Sequence, residues 1–116
     1  MVDQGEIVFV PFRLSDGSIL DHPALVVSQG LIDFGDDIFY AVLISTKNHH
    51  DEYTIEIKNE MLTSPLDDKS YFVTHQLDKF VYKDLPKIHN GKKRFVKEEY
   101  IESILNKIIE TIFNMK

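Results

Sequence analysis

Apolar residues along this 116-residue chain recur in alternation or in short unbroken runs up to Lys97, and every three or four positions after it. The first regime is that of strands and the second that of an amphipathic helix. "EIVFVPF" (Glu6 to Phe12) is short, β-branched and aromatic, which predicts a strand leaving at Pro11, since proline cannot donate to a ladder. "RLSDGSILDH" follows as a loop, where Ser15, Asp16, Gly17 and Ser18 supply turn chemistry. "PALVVSQ" (Pro23 to Gln29) reads as the second strand, and "GLIDFGDD" as a second turn region. "DIFYAVLIS" (Asp37 to Ser45) is almost wholly apolar and predicts a central strand covered on both faces. "EYTIEIK" (Glu52 to Lys58) alternates cleanly and predicts a half-exposed strand, joined to the previous one as a hairpin through "TKNHHD". "YFVTHQL" (Tyr71 to Leu77) is another strand, which "KFVY" extends or follows; "KDLPKIHNGKK" is a polar connection.

Beyond it, Tyr100, Ile101, Ile104, Leu105, Ile108, Ile109, Ile112 and Phe113 form one helical stripe, with Ile104, Ile108 and Ile112 expected to face inward. Glu98 and Glu99 open this helix where its dipole favours carboxylates, and Lys116 ends it. The isoleucines are mediocre helix formers, so packing must hold it. Five or so short strands and one helix predict a mainly β chain with α content: a small barrel or half-barrel closed by the helix. No repeat or long linker divides the chain, so one domain over 1–116 is expected.

Composition narrows the picture. A hydrophobic share of 43% is enough to build a core. The absence of cysteine excludes disulfides and thiolate metal sites. No basic-plus-apolar leader and no long apolar run is seen, so a cytoplasmic chain without a membrane partner is expected. The formal charge is -6, which counts against tight nonspecific nucleic-acid binding. Positive charge nevertheless clusters at Lys87, Lys92, Lys93, Arg94 and Lys97, with Arg13 the only other arginine. That cluster is either a solvated loop or an RNA-contacting rim. His49 and His50 lack a third ligand at a telling spacing, so a solvated turn is expected there; no metal and no cofactor are expected.

The order of these motifs resembles the PemK/MazF toxin family. "GEIVFVPFRLSDGSILDHPALVVSQ" (Gly5 to Gln29) is similar to its opening strand, Gly-Ser loop and Arg-Pro-Ala run; "AVLISTK" (Ala41 to Lys47) to its third strand; and "SYFVTHQLDKF" (Ser70 to Phe80) to its later strand. The resemblance spans nearly the whole chain and implies an SH3-like antiparallel β-barrel of the MazF/CcdB/Kid type with a C-terminal helix. It also implies a homodimer, a cognate antitoxin, and cleavage of single-stranded RNA.

Carried over by position, the resemblance assigns the family's catalytic arginine to His22 and its threonine to Ser45, with Thr46 beside it. The acidic member of its Asp-Gln pair becomes His75, while Gln76, Gly17 and Ser18 match. Arginine is a permanent, forked cation, whereas histidine titrates near neutrality, so His22 changes what the site can do. Histidines can serve as the base and acid that attack by a ribose 2′-OH requires, and Ser45 or Thr46 can donate to phosphate. Arg13, Lys92, Lys93 and Arg94 are the expected RNA contacts, with Gly17, Ser18 and Gln76. His75 has a second reading as a packed strand residue. A barrel that binds without cutting, or one that poisons a protein such as gyrase, is the alternative to a nuclease.

Overall fold

Alternation decides the first strand pair. Val8, Val10 and Phe12 point to one face and Ile7 to the other, giving β1 (Glu6–Arg13), which pairs antiparallel with β2 (Ile19–Val26) from Ile7↔Leu25 to Arg13↔Ile19. β3 (Ile38–Ser45), β4 (Thr54–Ile57), β5 (Ser70–Val81) and β6 (Arg94–Phe95) complete one sheet, and α1 (Glu98–Phe113) follows. The computed structural model describes residues 2–13, 15–30, 32, 35, 37–48, 51–86 and 93–113. Strand order is β4-β5-β3-β2-β1-β6, with every pairing antiparallel.

Both faces of the central strands are covered. Ile7, Leu25, Val42, Ile44 and Phe72 join Ile104 and Ile108 of α1 in one core, while Val10, Phe12, Ala24, Val26, Phe39, Ala41 and Phe80 form another. Ala24 and Leu25 are neighbours in sequence yet enter different cores, which is why β2 and β3 read as unbroken apolar runs. The ladders do not close into a continuous barrel. The two ends of the sheet meet at a single bridge, Leu62↔Val96, supported by Thr63 N–H to Phe95 O (2.9 Å) and Lys97 N–H to Met61 O (2.8 Å). Where β1 begins, Gly5 holds φ +90°, and a Cβ there would lie 3.0 Å from Ile101 Cδ1, so glycine lets the strand pass close under the helix.

Several expectations are corrected. β2 starts at Ile19, not Pro23, because the turn is tighter than the polar run suggests: Gly17 takes φ +89° and Asp16 Oδ1 accepts from Ser18 N–H at 2.8 Å. Pro23 is tolerated inside β2, opposite Phe9, because the ladder to β3 reaches only Ala24. The hairpin expected between the third and fourth strands is absent; β5 lies between β3 and β4 and pairs with both. Glu52 and Tyr53, the start of the fourth predicted strand, belong to a 3-10 turn, Asp51–Tyr53. β5 runs unbroken through Val81, and the polar connection ends in a sixth, two-residue strand. Ile104 and Ile108 are buried as expected, but Ile112 is exposed, because each four-residue step drifts about 40° around the helix and carries it away from the face of Ile104.

Candidate functional site

The β1–β2 turn gathers the first group of site residues. Arg13 ends β1 opposite Ile19 and is exposed. In the turn, the Asp16 carboxylate accepts from the Ser18 hydroxyl (2.5 Å) and its backbone N–H (2.8 Å), and these two bonds hold its carboxyl below the usual carboxylate range. The turn is thereby fixed by its own short side chains, with Gly17 supplying the left-handed backbone.

His22 stands on β2 opposite Val10, with its ring edge-on to Phe12 at 6.4 Å between centroids. It shares the face of Ala24 and Val26 and is half-buried. Its Nε2 is buried and has no hydrogen-bond partner. An unmet buried nitrogen costs about 1–3 kcal/mol, and such a group stands out in a native fold.

Ser45 ends β3. The last rung of the β2–β3 ladder is Ala24↔Leu43, and the same register carried two residues further sets Ser45 across from His22 on one face. The β2–β3 ladder stops before that rung. Ser45 Oγ accepts from Lys47 N–H at 3.1 Å, so its own O–H stays available to donate outward. Thr46 and Lys47 are exposed beside it. Lys47 adds a cation that the charge-cluster argument passed over, although it closes the "AVLISTK" motif.

β5 brings His75 and Gln76 to the same end of β3. Between the rungs Ile44↔Phe72 and Val42↔Leu77, β3 supplies only Leu43 while β5 supplies Val73, Thr74, His75 and Gln76. This wide bulge turns the His75 and Gln76 side chains outward, and both are exposed. The His75 ring lies 4.9 Å from that of Tyr53. Thr74 anchors the bulge from inside, donating to Tyr53 O at 2.7 Å. Tyr53 and Thr74 escaped the sequence reading, since neither carries a signal beyond strand propensity. Among the described residues, no hydrogen bond or ring contact joins His22 to His75; each ring has its own aromatic neighbour.

The basic cluster divides. Lys92, like Lys87, His49 and His50, lies outside the described residues. Lys93 Nζ is 3.7 Å from the buried Glu6 carboxylate. Arg94 donates from Nε to Ser64 O (3.0 Å) and Ser64 Oγ (3.2 Å), and from Nη2 to Pro65 O (3.0 Å). Arg94 opens β6 and Lys93 directly precedes it, and β6 pairs with the start of β1 at Glu6 and Ile7. Arg13 ends the same strand, roughly 23 Å away at the usual rise per residue. Lys93 and Arg94 therefore lie at the far end of β1 from the Arg13 turn. Among the described residues, no group of His, Asp or Glu is gathered to hold a metal, and no helix is long and apolar enough to cross a membrane.

No family model matches the chain, and no curated protein matches it by sequence. Solved structures do match in fold, over essentially the whole length of both chains. One is an endoribonuclease in complex with its cognate antitoxin from a mycobacterial species, with TM-score 0.68 and 15% identity over 100% of this chain and 98% of that one. MazF from Deinococcus radiodurans gives TM-score 0.70 and 11% identity, over 98% of this chain and 97% of that one. The Mycobacterium tuberculosis toxin MazF-mt6 gives 0.66 and 14%, over 96% and 98%. At such identities the likeness defines the fold. The chain has a MazF-like fold: an antiparallel, barrel-like sheet with a C-terminal helix.

Proposed function

We propose that the chain is the toxin of a toxin–antitoxin pair and cuts single-stranded RNA. The observation that carries this reading is the pairing of a whole-length MazF-like fold with His22 Nε2, buried and unpartnered on β2, and with Ser45 at the end of the neighbouring β3. In the proposed step, neutral His22 takes the proton of a ribose 2′-OH. The 2′ oxygen bonds to phosphorus and the bond to the 5′ oxygen breaks, leaving a 2′,3′-cyclic phosphate and a 5′-hydroxyl. Ser45 and Thr46 donate to the phosphoryl oxygens, and Arg13 and Lys47 offset the charge that develops on them. We assign the acid for the leaving oxygen to His75, with Gln76 beside it for a base edge. A base and an acid work from opposite sides of one phosphate, so the two histidines need no contact with each other, and the chain works as a homodimer. Gly17 and Ser18 shape the turn against which RNA would lie. The natural partner is a cognate antitoxin, as in the mycobacterial and Deinococcus complexes.

A specific observation favours a second reading. The position expected to hold a permanent cation holds a half-buried histidine packed on Phe12. A chain so built can retain the antitoxin while losing cleavage. Incubating the purified protein with mixed-sequence single-stranded RNA, beside His22→Ala, separates the two. Fragments ending in cyclic phosphate that vanish in the variant support the nuclease. Intact RNA with a retained antitoxin complex supports the binding module.

A further inference from the structure

The cross-strand pairs beyond Ser45 set out a row that the proposed step does not use. Ser45 on β3 pairs with Tyr71 on β5, and Tyr71 pairs in turn with Glu56 on β4. Residues paired in this way point to the same side of an antiparallel sheet. Their neighbours Ile44, Phe72 and Ile57 point to the other side, into the core that α1 covers. Ser45, Tyr71 and Glu56 therefore stand together on the face away from that core. Strands lie about 4.8 Å apart, which sets Tyr71 one spacing from Ser45 and Glu56 two. Lys69 closes the row, with Nζ 3.8 Å from Glu56 Oε2.

The chemistry of this row suits a base. Tyr71 is half-buried, and its phenol has no hydrogen-bond partner among the described residues, so part of an aromatic side chain is open beside Ser45. Every base has a π-face that can stack on such a ring. Glu56 and Lys69 are both exposed, and 3.8 Å is longer than an N–H···O bond. Glu56 thus keeps its acceptors, and Lys69 its donors, for a ligand. A carboxylate repels phosphate, so this end of the row fits a base edge and not the RNA backbone. Among the four RNA bases, guanine alone carries two adjacent donors, N1–H and N2–H, with the acceptor O6 next to them. A carboxylate can take both donors as a fork, and an ammonium can take O6.

We infer that Tyr71, Glu56 and Lys69 form a guanine subsite flanking the phosphate held at Ser45. The Tyr71 ring stacks on the base, Glu56 accepts from N1–H and N2–H, and Lys69 Nζ donates to O6. The subsite rests on the RNA-cleaving reading for its place beside the cut, but its binding can be measured apart from cutting.

The test uses the full chain and a short fluorescent oligouridine, fully 2′-O-methylated, with one central guanosine. Without a 2′-OH this probe cannot be cut by the proposed step. Anisotropy should show it bound about tenfold more tightly than its twin with inosine, which lacks only the N2 amino group. Tyr71→Leu should weaken binding about tenfold and Tyr71→Phe should not, since phenylalanine keeps the ring, with circular dichroism unchanged in both. Glu56→Gln should erase the preference for guanosine. In mixed-sequence RNA, cuts by the parent should fall beside guanosines. Equal binding of the two probes, or binding of neither, overturns the subsite. So does a guanosine preference that survives Glu56→Gln, which would make Glu56 and Lys69 an ordinary surface ion pair. Guanosine-selective binding without cleavage of natural RNA supports the subsite and overturns the nuclease reading alone.

Discussion

The Thr111 hydroxyl on α1 lies 2.9 Å from that of Thr74, a side chain in the β5 bulge with no exposed surface. Thr74 has one proton and gives it to Tyr53 O, so Thr111 is the donor in this pair. One buried hydroxyl thus ties the helix, the bulge that carries His75, and the turn that carries its ring neighbour. Thr74→Val keeps the shape and removes the donor to Tyr53 O, which should cost about 1–3 kcal/mol. Thr111→Val should cost less, since its position is only partly buried. A double-mutant cycle by chemical denaturation should return a nonzero coupling energy; strict additivity would mean the two hydroxyls do not act together.

Gly5→Ala should destabilise the fold on two grounds. Alanine is strained at φ +90°, and its Cβ would lie 3.0 Å from Ile101 Cδ1. A loss of about 1–2 kcal/mol from backbone strain alone is expected, read as a lower denaturation midpoint. Ile101→Val in the same background should recover part of the loss by clearing the contact.

The two isoleucines that looked equivalent in sequence should behave differently. Ile104→Ala removes a side chain 1% exposed in the core and should cost about 2–5 kcal/mol. Ile112→Ala, at 36% exposure, should cost far less. Comparable losses from both would mean the last turn of α1 is covered in solution.

This contrast marks how far the sequence was legible. The long elements could be read because covering both faces demands apolar runs at Ala24–Val26 and Phe39–Ile44, and a helix demands its stripe. What could not be read was pairing. Nothing local tells "YFVTHQL" to insert between the third and fourth strands, and Arg94–Phe95 is a strand only because Glu6 and Ile7 lie beside it. The site was legible as residue types in order: His22, Ser45 and His75 were each marked. Their relation was not, since it depends on where the β2–β3 ladder stops and on the extra residues of the β5 bulge. That Arg94 bonds the 64–65 loop was not legible, because a charge cluster in sequence carries no information about which backbone carbonyls lie nearby.

Asp16 supplies a pH prediction. The Ser18 hydroxyl and N–H lower its carboxyl in the folded chain, so the turn is stabilised above the ordinary Asp range, and this contribution is lost as pH falls through the lowered folded value. Carboxyl NMR titration should find Asp16 below the ordinary range and Ser18→Ala should move it upward, the hydroxyl being the larger cause. No change on Ser18→Ala would mean the turn does not persist in solution.

The most direct test of the central claim follows a single-stranded RNA of mixed sequence with the purified chain at neutral pH. Parent protein should yield discrete fragments with 2′,3′-cyclic phosphate and 5′-hydroxyl ends. His22→Ala, whose fold should be intact by circular dichroism, should lower the rate by about 10²–10⁴-fold, the usual worth of a general base. Undiminished cleavage by His22→Ala, or fragments with 5′-phosphate ends, would contradict the account.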